Sequence, residues 1–570
     1  MATAQATRQG GQAAPDPSQR RLVAAAALVW LLLCLALLAL YWWPESKRLA
    51  GDEQNYQQTA LAILAGGDWF DRHLVWPPLQ GLFMAAVYTI AGPHLLAVQL
   101  VQLGLLAASG VMLARIVTLL TGHRRAATWA GILLAVNPLT IAFATWLWPE
   151  IIHLAASLLL ALCLVRLWRH GDGRHRQPGL DSLGWVAGAG LALGLCLLAK
   201  SLLTAFWPLL LLALVSWHRR EGVAAIRAEV DPDAVDDVAA ATAAPDHHQS
   251  WRAWLAGLAD WRPQWPASGL RLAVFALAAI LVCAPALVRG WQETGRPMIA
   301  DSSWFNLWTG LADRWRGDFV FDETGHRFSA YLASGETHDQ RVAFARQQAA
   351  ALVEQQGLAA TVAGQLGKQY FRLFDARNSL VAQLPGEPCR GYLSTYRLAS
   401  PHLVGAIDLI ARGWHLALLG LAAFGLALWR QWRAPWLWLL AAFAGYQMAL
   451  FAVLHVKTRF LLPLLPLLCL FAGHALAGRH RARDHGRDAG SGANASGHAA
   501  KTVTAAEPVS SPARPGPLHL RLALGAVLTA MLWFLASAGP WFDQACAASA
   551  DAVASTGPPL TDWRPAHPAP

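Results

Sequence analysis

The chain has 570 residues, 55% of them hydrophobic and only 14% charged, where soluble globular chains carry about 25% charged residues; this excludes a soluble globular protein. The net charge of +10 argues for no nucleic-acid partner, because the basic clusters fall in short loops between apolar runs, as the orientation bias of Lys and Arg produces.

Residues 1–21 read as a polar cytoplasmic tail without a cleavable signal, and the first apolar run, Leu22 to Trp43, as an uncleaved anchor. Eleven spans are expected, at 22–43, 94–119, 126–144, 150–168, 184–199, 202–217, 269–289, 413–430, 435–454, 459–477 and 519–538. The predicted fold is an all-α polytopic membrane protein with an interfacial helical outer loop and a larger outer-face segment. The basic loops His123-Arg124-Arg125, Arg166 to Arg176, His218-Arg219-Arg220, Arg430-Gln431-Trp432-Arg433 and Arg479 to Arg487 then face the cytoplasm. Pro77 to Ala91 is apolar but short, and spanning would invert every later loop. It reads as an interfacial or re-entrant helix within the outer loop 44–93.

The organisation follows in order. An N-terminal transmembrane module occupies 22–289, interrupted by a cytoplasmic linker at 221–268 whose acidic, Ala-rich part cannot bury a core. A large outer segment, 290–412, carries Trp291, Trp304, Phe305, Trp308 and Trp315, then a helical stretch from His338 to Phe374, enough for a small ordered domain or a lid. C-terminal spans occupy 413–477, a Gly/Ser/Ala/Pro-rich cytoplasmic linker 478–518, the last span 519–538 and an outer tail 539–570. Five of the seven Cys lie in apolar runs and read as packing residues. Cys389 and Cys546 lie outside, where a bridge and two free thiols are both compatible.

With this topology one face collects Asp52, Glu53, Tyr56, Asp68, Asp71, Arg72, His73, Glu150, Lys200, Arg289, His455, Lys457 and Arg459. Ionisable groups at such helix ends are site candidates. Asp52 and Tyr56 share a helix face, and Asp52 reads either as a capping carboxylate or as a general base. Glu150 is either a dipole-stabilised helix start or a site residue. Lys200 either snorkels or neutralises a phosphate. His455-Val456-Lys457-Thr458-Arg459 runs against the orientation bias and suits a phosphate, or a lipid headgroup. Asp52, Glu53 and Glu150 could hold Mg2+, although they lack ligand spacing, and no metal site is assigned. The sequence lacks a Gly-x4-Gly-Lys-Ser/Thr loop and a Gly-x-Ser-x-Gly elbow. No span is expected to carry a buried central charge or a conspicuous break, as transporter sites require.

The motifs keep an order that resembles the GT-C membrane glycosyltransferases, in the branch of the protein O-mannosyltransferases and the lipid A aminoarabinose transferases. They are Gly51-Asp52-Glu53-Gln54-Asn55-Tyr56, Ala65-Gly66-Gly67-Asp68-Trp69, Pro77-Pro78-Leu79, Asn137-Pro138, Trp148-Pro149-Glu150, Leu198-Ala199-Lys200, Arg289 with Asn306-Leu307-Trp308-Thr309-Gly310, and His455, Arg459, Phe460 with Pro463-Leu464-Leu465-Pro466. The resemblance implies transfer of a sugar from a polyprenyl-phosphate donor to an outer-face lipid, glycan or protein, with inversion, in a bacterial inner membrane. It implies Asp52 as general base or acceptor-positioning carboxylate, with Glu53 beside it, and Lys200, His455 and Arg459 as phosphate contacts; Tyr56, His73, Glu150, Arg289 and Lys457 complete the candidate binding set. Trp76 stands where many relatives have Lys or His, so that a donor-phosphate contact is either missing or replaced by Arg72 or His73. A flippase for lipid-linked sugars and a non-catalytic envelope scaffold are the alternative readings.

Overall fold

A computed structural model describes residues 17–41, 49, 51–171, 180–211, 214, 265–313, 316, 321–376, 401–429, 435–491 and 518–542. The described residues are helical and contain no strand. In a bilayer this is one of two solutions that satisfy every backbone polar group.

The helices are α1 (Pro17–Tyr41), α2 (Asp52–Leu64), α3 (Leu79–Ala91), α4 (Leu95–Thr121), α5 (Arg124–Ala135), α6 (Pro138–Thr145), α7 (Glu150–Gly171) and α8 (Leu180–Ala199). After them come α9 (Trp265–Thr294), α10 (Ser303–Ala312), α11 (Phe321–Ala333), α12 (His338–Gln356), α13 (Leu358–Phe374), α14 (Pro401–Ala427), α15 (Pro435–Val453), α16 (Leu465–Ser491) and α17 (Leu518–Phe542).

Seven of them are long and apolar enough to cross a membrane: α4, α7, α8, α9, α14, α15 and α17. These match seven of the eleven expected spans. The other four differ for local reasons. In α1 the apolar part runs only from Val23 to Ala39, and in α16 only from Leu465 to Gly478. Pro463 and Pro466 explain the latter: residues 458–461 form a 3-10 turn and the α-helix starts only at Leu465. The run expected at 202–217 begins as a 3-10 turn, Ser201–Leu203, and part of it lies outside the described residues.

The fourth, 126–144, is broken. Its halves, α5 and α6, bend by 45°. Asn137 caps α6, its Oδ1 accepting the Leu139 N–H at 2.8 Å, and Pro138 occupies the first helical position, where a missing N–H costs nothing. This corrects the expectation of unbroken spans. The buried carbonyls at the end of α6 are met from α4: Gln99 donates to Thr145 O at 2.6 Å, and Gln102 to Ala144 O and Trp146 O at 3.0 and 2.7 Å.

The helices pack as a row, α9 on α8, α8 on α7, α7 on α4, α4 on α5, α5 on α16, α16 on α14 and α14 on α17. Small residues allow the closest approaches. A Cβ on Gly131 of α5 would sit 2.5 Å from Gly110 O of α4. The short helix α3 is about 20 Å long at 1.5 Å per residue, less than the hydrocarbon core, and packs against α2. In the outer segment the expected single helical stretch is two helices. Thr337 and Gln340 form a capping box at the start of α12. Gly357, at φ 78°, ends α12 and starts α13. Helix α16 runs on to Ser491, into the expected linker. Residues 221–250 and 492–517, Cys389, Cys546 and the tail beyond 542 lie outside the described residues.

Candidate active site

Asp52 opens α2. Its Oδ1 accepts the Trp76 Nε1–H at 3.3 Å, and its Oδ2 faces Arg459 Nη1 at 3.4 Å. Arg459 stands in the 3-10 turn Thr458–Leu461 that follows α15. Its Nε lies 3.5 Å from Glu150 Oε1, and the same oxygen accepts from Lys200 Nζ at 2.7 Å. An acid–base chain therefore runs Asp52–Arg459–Glu150–Lys200, drawn from the starts or ends of four helices. Because the contacts are direct, positions 52, 150, 200 and 459 share one side of the helix row.

Aromatic rings hold the cations. The Arg459 guanidinium lies 4.5 Å from the centre of the Trp148 ring, and Phe460 lies under both Arg459 and Lys200, at 5.5 and 5.3 Å. Burial lowers the pKa of Lys200, opposed by the Glu150 carboxylate. The Tyr56 phenol is buried one turn after Asp52. Its pKa is raised well above the usual value by burial and then by the charges of Asp52 and Glu150, so it stays neutral. The exposure is graded: the Asp52 side chain is 34% exposed, Arg459 and Lys200 15%, Glu150 1%. Asp52 is the open end of the chain.

The remaining sequence candidates go elsewhere. Glu53 is fully buried. It accepts the Leu147 N–H at 2.9 Å and so ties the Trp146–Pro149 turn to α2, away from the exposed end of Asp52. Arg289 on α9 pairs with Asp68 at 2.8 Å. Against the opposing effect of burial, the Phe70 N–H and this guanidinium hold the Asp68 carboxyl below its usual range. His73 is exposed, and its recorded bonds are backbone ones, to Asp71 at 2.9 Å and from Arg341 at 3.4 Å. Lys457 precedes the Thr458–Leu461 turn.

His455 belongs to a second cluster. Its N–H donates to Asn306 O at 3.2 Å, and its Nδ1 lies 3.8 Å from Asp313 Oδ2. Burial, then the neighbouring Lys457 and Arg372, lower its pKa well below the usual value. Both effects favour the neutral imidazole over the cation. Asp313 also pairs with Arg372 at 2.6 Å, and Lys368 donates to Gly310 O at 2.7 Å.

Asp52, Glu53 and Glu150 do not converge, so they do not fit Mg2+. Among the described residues no group of three or more His, Cys, Asp or Glu could hold a metal.

Sequence reasoning missed the part played by the aromatic groups and by Asp71. Trp76 donates its indole N–H to Asp52. Asp71 shapes the loop that presents it: its carboxylate accepts from His73 N, Val75 N and Trp76 N at 2.9, 2.8 and 3.0 Å. Within that loop Leu74 is fully buried at φ 60°, a strained conformation for a branched side chain. Its carbonyl accepts the Asp301 N–H at 2.7 Å. The signal for Asp71 was present as Asp-x-x-x-x-Trp, but local side-chain-to-backbone stapling of this kind has no fixed spacing.

No protein-family profile matches the chain. It is 29% identical over 178 residues, 30% of its own length, to the undecaprenyl phosphate-alpha-4-amino-4-deoxy-L-arabinose arabinosyl transferase of Pseudomonas aeruginosa (strain LESB58). That relative is an aminoarabinose transferase, of the branch that the chain's ordered motifs resemble. The matched stretch spans 31% of that curated relative's length. Among solved structures, an apo oligosaccharyltransferase of Archaeoglobus fulgidus overlays 91% of this chain and 56% of its own, at 16% identity and a TM-score of 0.44. ArnT from Cupriavidus metallidurans bound to undecaprenyl phosphate overlays 81% and 78%, at 16% identity and a TM-score of 0.32.

Proposed function

We propose that this chain is a membrane glycosyltransferase that moves a sugar from a polyprenyl-phosphate carrier to an acceptor hydroxyl. The site is assigned to the outer, periplasmic face of a bacterial inner membrane. The observation that carries the reading is the open Asp52 carboxylate at one end of a chain of charges that contains two half-buried cations, Arg459 and Lys200.

In the reaction, Asp52 Oδ accepts the proton of the acceptor hydroxyl as that oxygen attacks the anomeric carbon. The bond from that carbon to the phosphate oxygen breaks, and polyprenyl phosphate leaves with the electron pair. Attack opposite the leaving group inverts the anomeric centre. Negative charge grows on the phosphate, where positive groups fixed in advance lower the barrier. Arg459 and Lys200 supply them, and Glu150 keeps both in register while leaving the trio Arg459–Glu150–Lys200 with a net charge of +1. Trp76 fixes the orientation of the base through its indole N–H.

The test is sugar transfer in membranes from an Asp52→Asn strain with expression matched to wild type. Transfer should fall by about 10²–10⁴-fold, the usual contribution of a general base; near wild-type turnover would sink the proposal. The broken span at Asn137 favours a second reading, a flippase for lipid-linked sugars. Under it the same variant moves lipid normally and purified protein makes no glycosidic bond.

A further inference from the structure

Helix α13 is built inside out for a helix in water. Leu358, Val362 and Leu366, four residues apart, are 70%, 50% and 45% exposed, while Gln365, Lys368, Gln369 and Arg372 on the adjoining face are buried. The helix sits among span ends. Tyr370 OH donates to Met448 O of α15 at 3.1 Å, the Ala376 N–H to Ala536 O of α17 at 2.9 Å, and the Phe371 ring meets Phe534 of α17 at 5.6 Å. Both partners are helices long and apolar enough to cross the membrane. An exposed apolar stripe at that depth meets lipid chains rather than water.

Beside this stripe lies a cavity of about 490 Å³, walled by α10, α12, α13 and the last residues of α15, within the size range of small-molecule sites. Its walls are apolar, Leu307, Val353, Leu366, Ala452 and Val453 among them. Val453 ends a span and is 49% exposed, so the cavity is continuous with the lipid-facing surface. Two buried polar residues stand in its wall, Thr361, whose hydroxyl donates to Gly357 O at 2.9 Å, and Gln365, whose Oε1 accepts from Gln369 Nε2 at 2.7 Å. Two charged residues complete the lining, Arg346, held over the Trp304 ring at 5.6 Å, and Glu354. Together they suit a headgroup carrying both a phosphate and an ammonium.

We propose that this cavity binds a zwitterionic glycerophospholipid of the surrounding leaflet: one acyl chain in the apolar pocket and the headgroup between Arg346 and Glu354. The site is separate from the Asp52 chain and does not depend on the glycosyl-transfer reading.

The full chain is reconstituted in nanodiscs of phosphatidylethanolamine doped with phosphatidylethanolamine bearing an acyl-chain diazirine, then irradiated and mapped by peptide mass spectrometry. Peptides of α12 and α13 should label severalfold above the lipid-facing stretch of α9 that carries Leu277 and Leu281. Ala350→Trp, which fills the cavity, should abolish that excess and leave α9 labelling unchanged, whereas Ala359→Trp, exposed but outside the lining, should do neither. Ala452→Phe serves if Ala350→Trp does not fold. Equal labelling of α9 and α13, unmoved by either filling variant, would overturn the proposal. So would displacement of the probe by undecaprenyl phosphate, which would give the cavity to the carrier chain instead.

Discussion

Asp52 and Asp313 are both aspartates beside an arginine at the end of a helix, yet they sit in opposite settings. Asp52 is 34% exposed and meets Arg459 at 3.4 Å; Asp313 is 1% exposed and meets Arg372 at 2.6 Å. The second pair is closed. It lies inside a seam where Lys368 binds Gly310 O and His455 N–H binds Asn306 O, fastening the outer segment to the end of α15. The first pair is part of a chain with a free end. A closed buried pair has no room for a substrate and acts through folding; an open one can exchange a protein contact for a substrate contact. Charge and sequence motif alone do not separate the two. Exposure of the acid does.

Matched substitutions break or sharpen this contrast. Asp52→Asn should lower transfer by the two to four orders of magnitude given above while unfolding stability stays within about 0.5 kcal/mol, as for other changes at exposed positions. Asp313→Asn should do the reverse. Removing one member of a buried pair costs about 3–5 kcal/mol, read as a lower thermal midpoint in detergent, and the protein that remains folded should keep its turnover. If Asp313→Asn lost turnover with an unchanged midpoint, the second cluster would have to be counted with the chemistry.

A smaller effect is expected at Arg459. Lys retains the charge but loses the planar stack on Trp148 and the simultaneous reach to Asp52 and Glu150. Arg459→Lys should cost transfer roughly tenfold, about 1.4 kcal/mol. The loss should appear in kcat/KM, with the thermal midpoint nearly unchanged. Wild-type kcat/KM in this variant would mean that Arg459 braces Asp52 without meeting the leaving phosphate.

The sequence made the helical class legible because uninterrupted apolar runs have one solution in lipid, and seven spans fall where hydropathy put them. It made Asp52, Tyr56, Glu150, Lys200 and Arg459 legible as one set because orientation bias sorts helix ends to a side. It could not separate His455 from Arg459, four residues on. Both are basic and both sit at the same helix end; which one faces Asp52 and which faces Asp313 depends on the 3-10 turn that starts at Thr458. Nor could it separate Asp52 from Glu53, adjacent acids that α2 directs apart, one to Arg459 and one to Leu147 N. The break at Asn137 was readable in Asn-Pro, yet the run's length masked it, because α5 and α6 together still total a span. Sequence pattern gathers the helix ends into one set; what it leaves open is direction around a helix of a few residues.

Asp301 provides a third, intermediate acid and the mildest test. It joins the two regions: its N–H binds Leu74 O in the loop before Trp76, and its carboxylate faces His338 on α12 at 3.5 Å. The His338 side chain, acting against burial and helped by the Ser303 N–H, pulls the Asp301 carboxyl down to about 2. A carboxyl depressed in the fold stabilises it above its unfolded value of about 3.9 and loses that contribution as pH falls toward 2. Because its side chain is 32% exposed, solvent screening limits the contribution to at most about 2 kcal/mol. Asp301→Asn should therefore be less stable than wild type at about pH 5, with the gap reduced to roughly a third near pH 2.5, measured as thermal midpoints in the same detergent. A gap between the two proteins that is the same at both pH values would show that Asp301 acts only through its backbone bond to Leu74, and that the loop presenting Trp76 to Asp52 is held without help from charge.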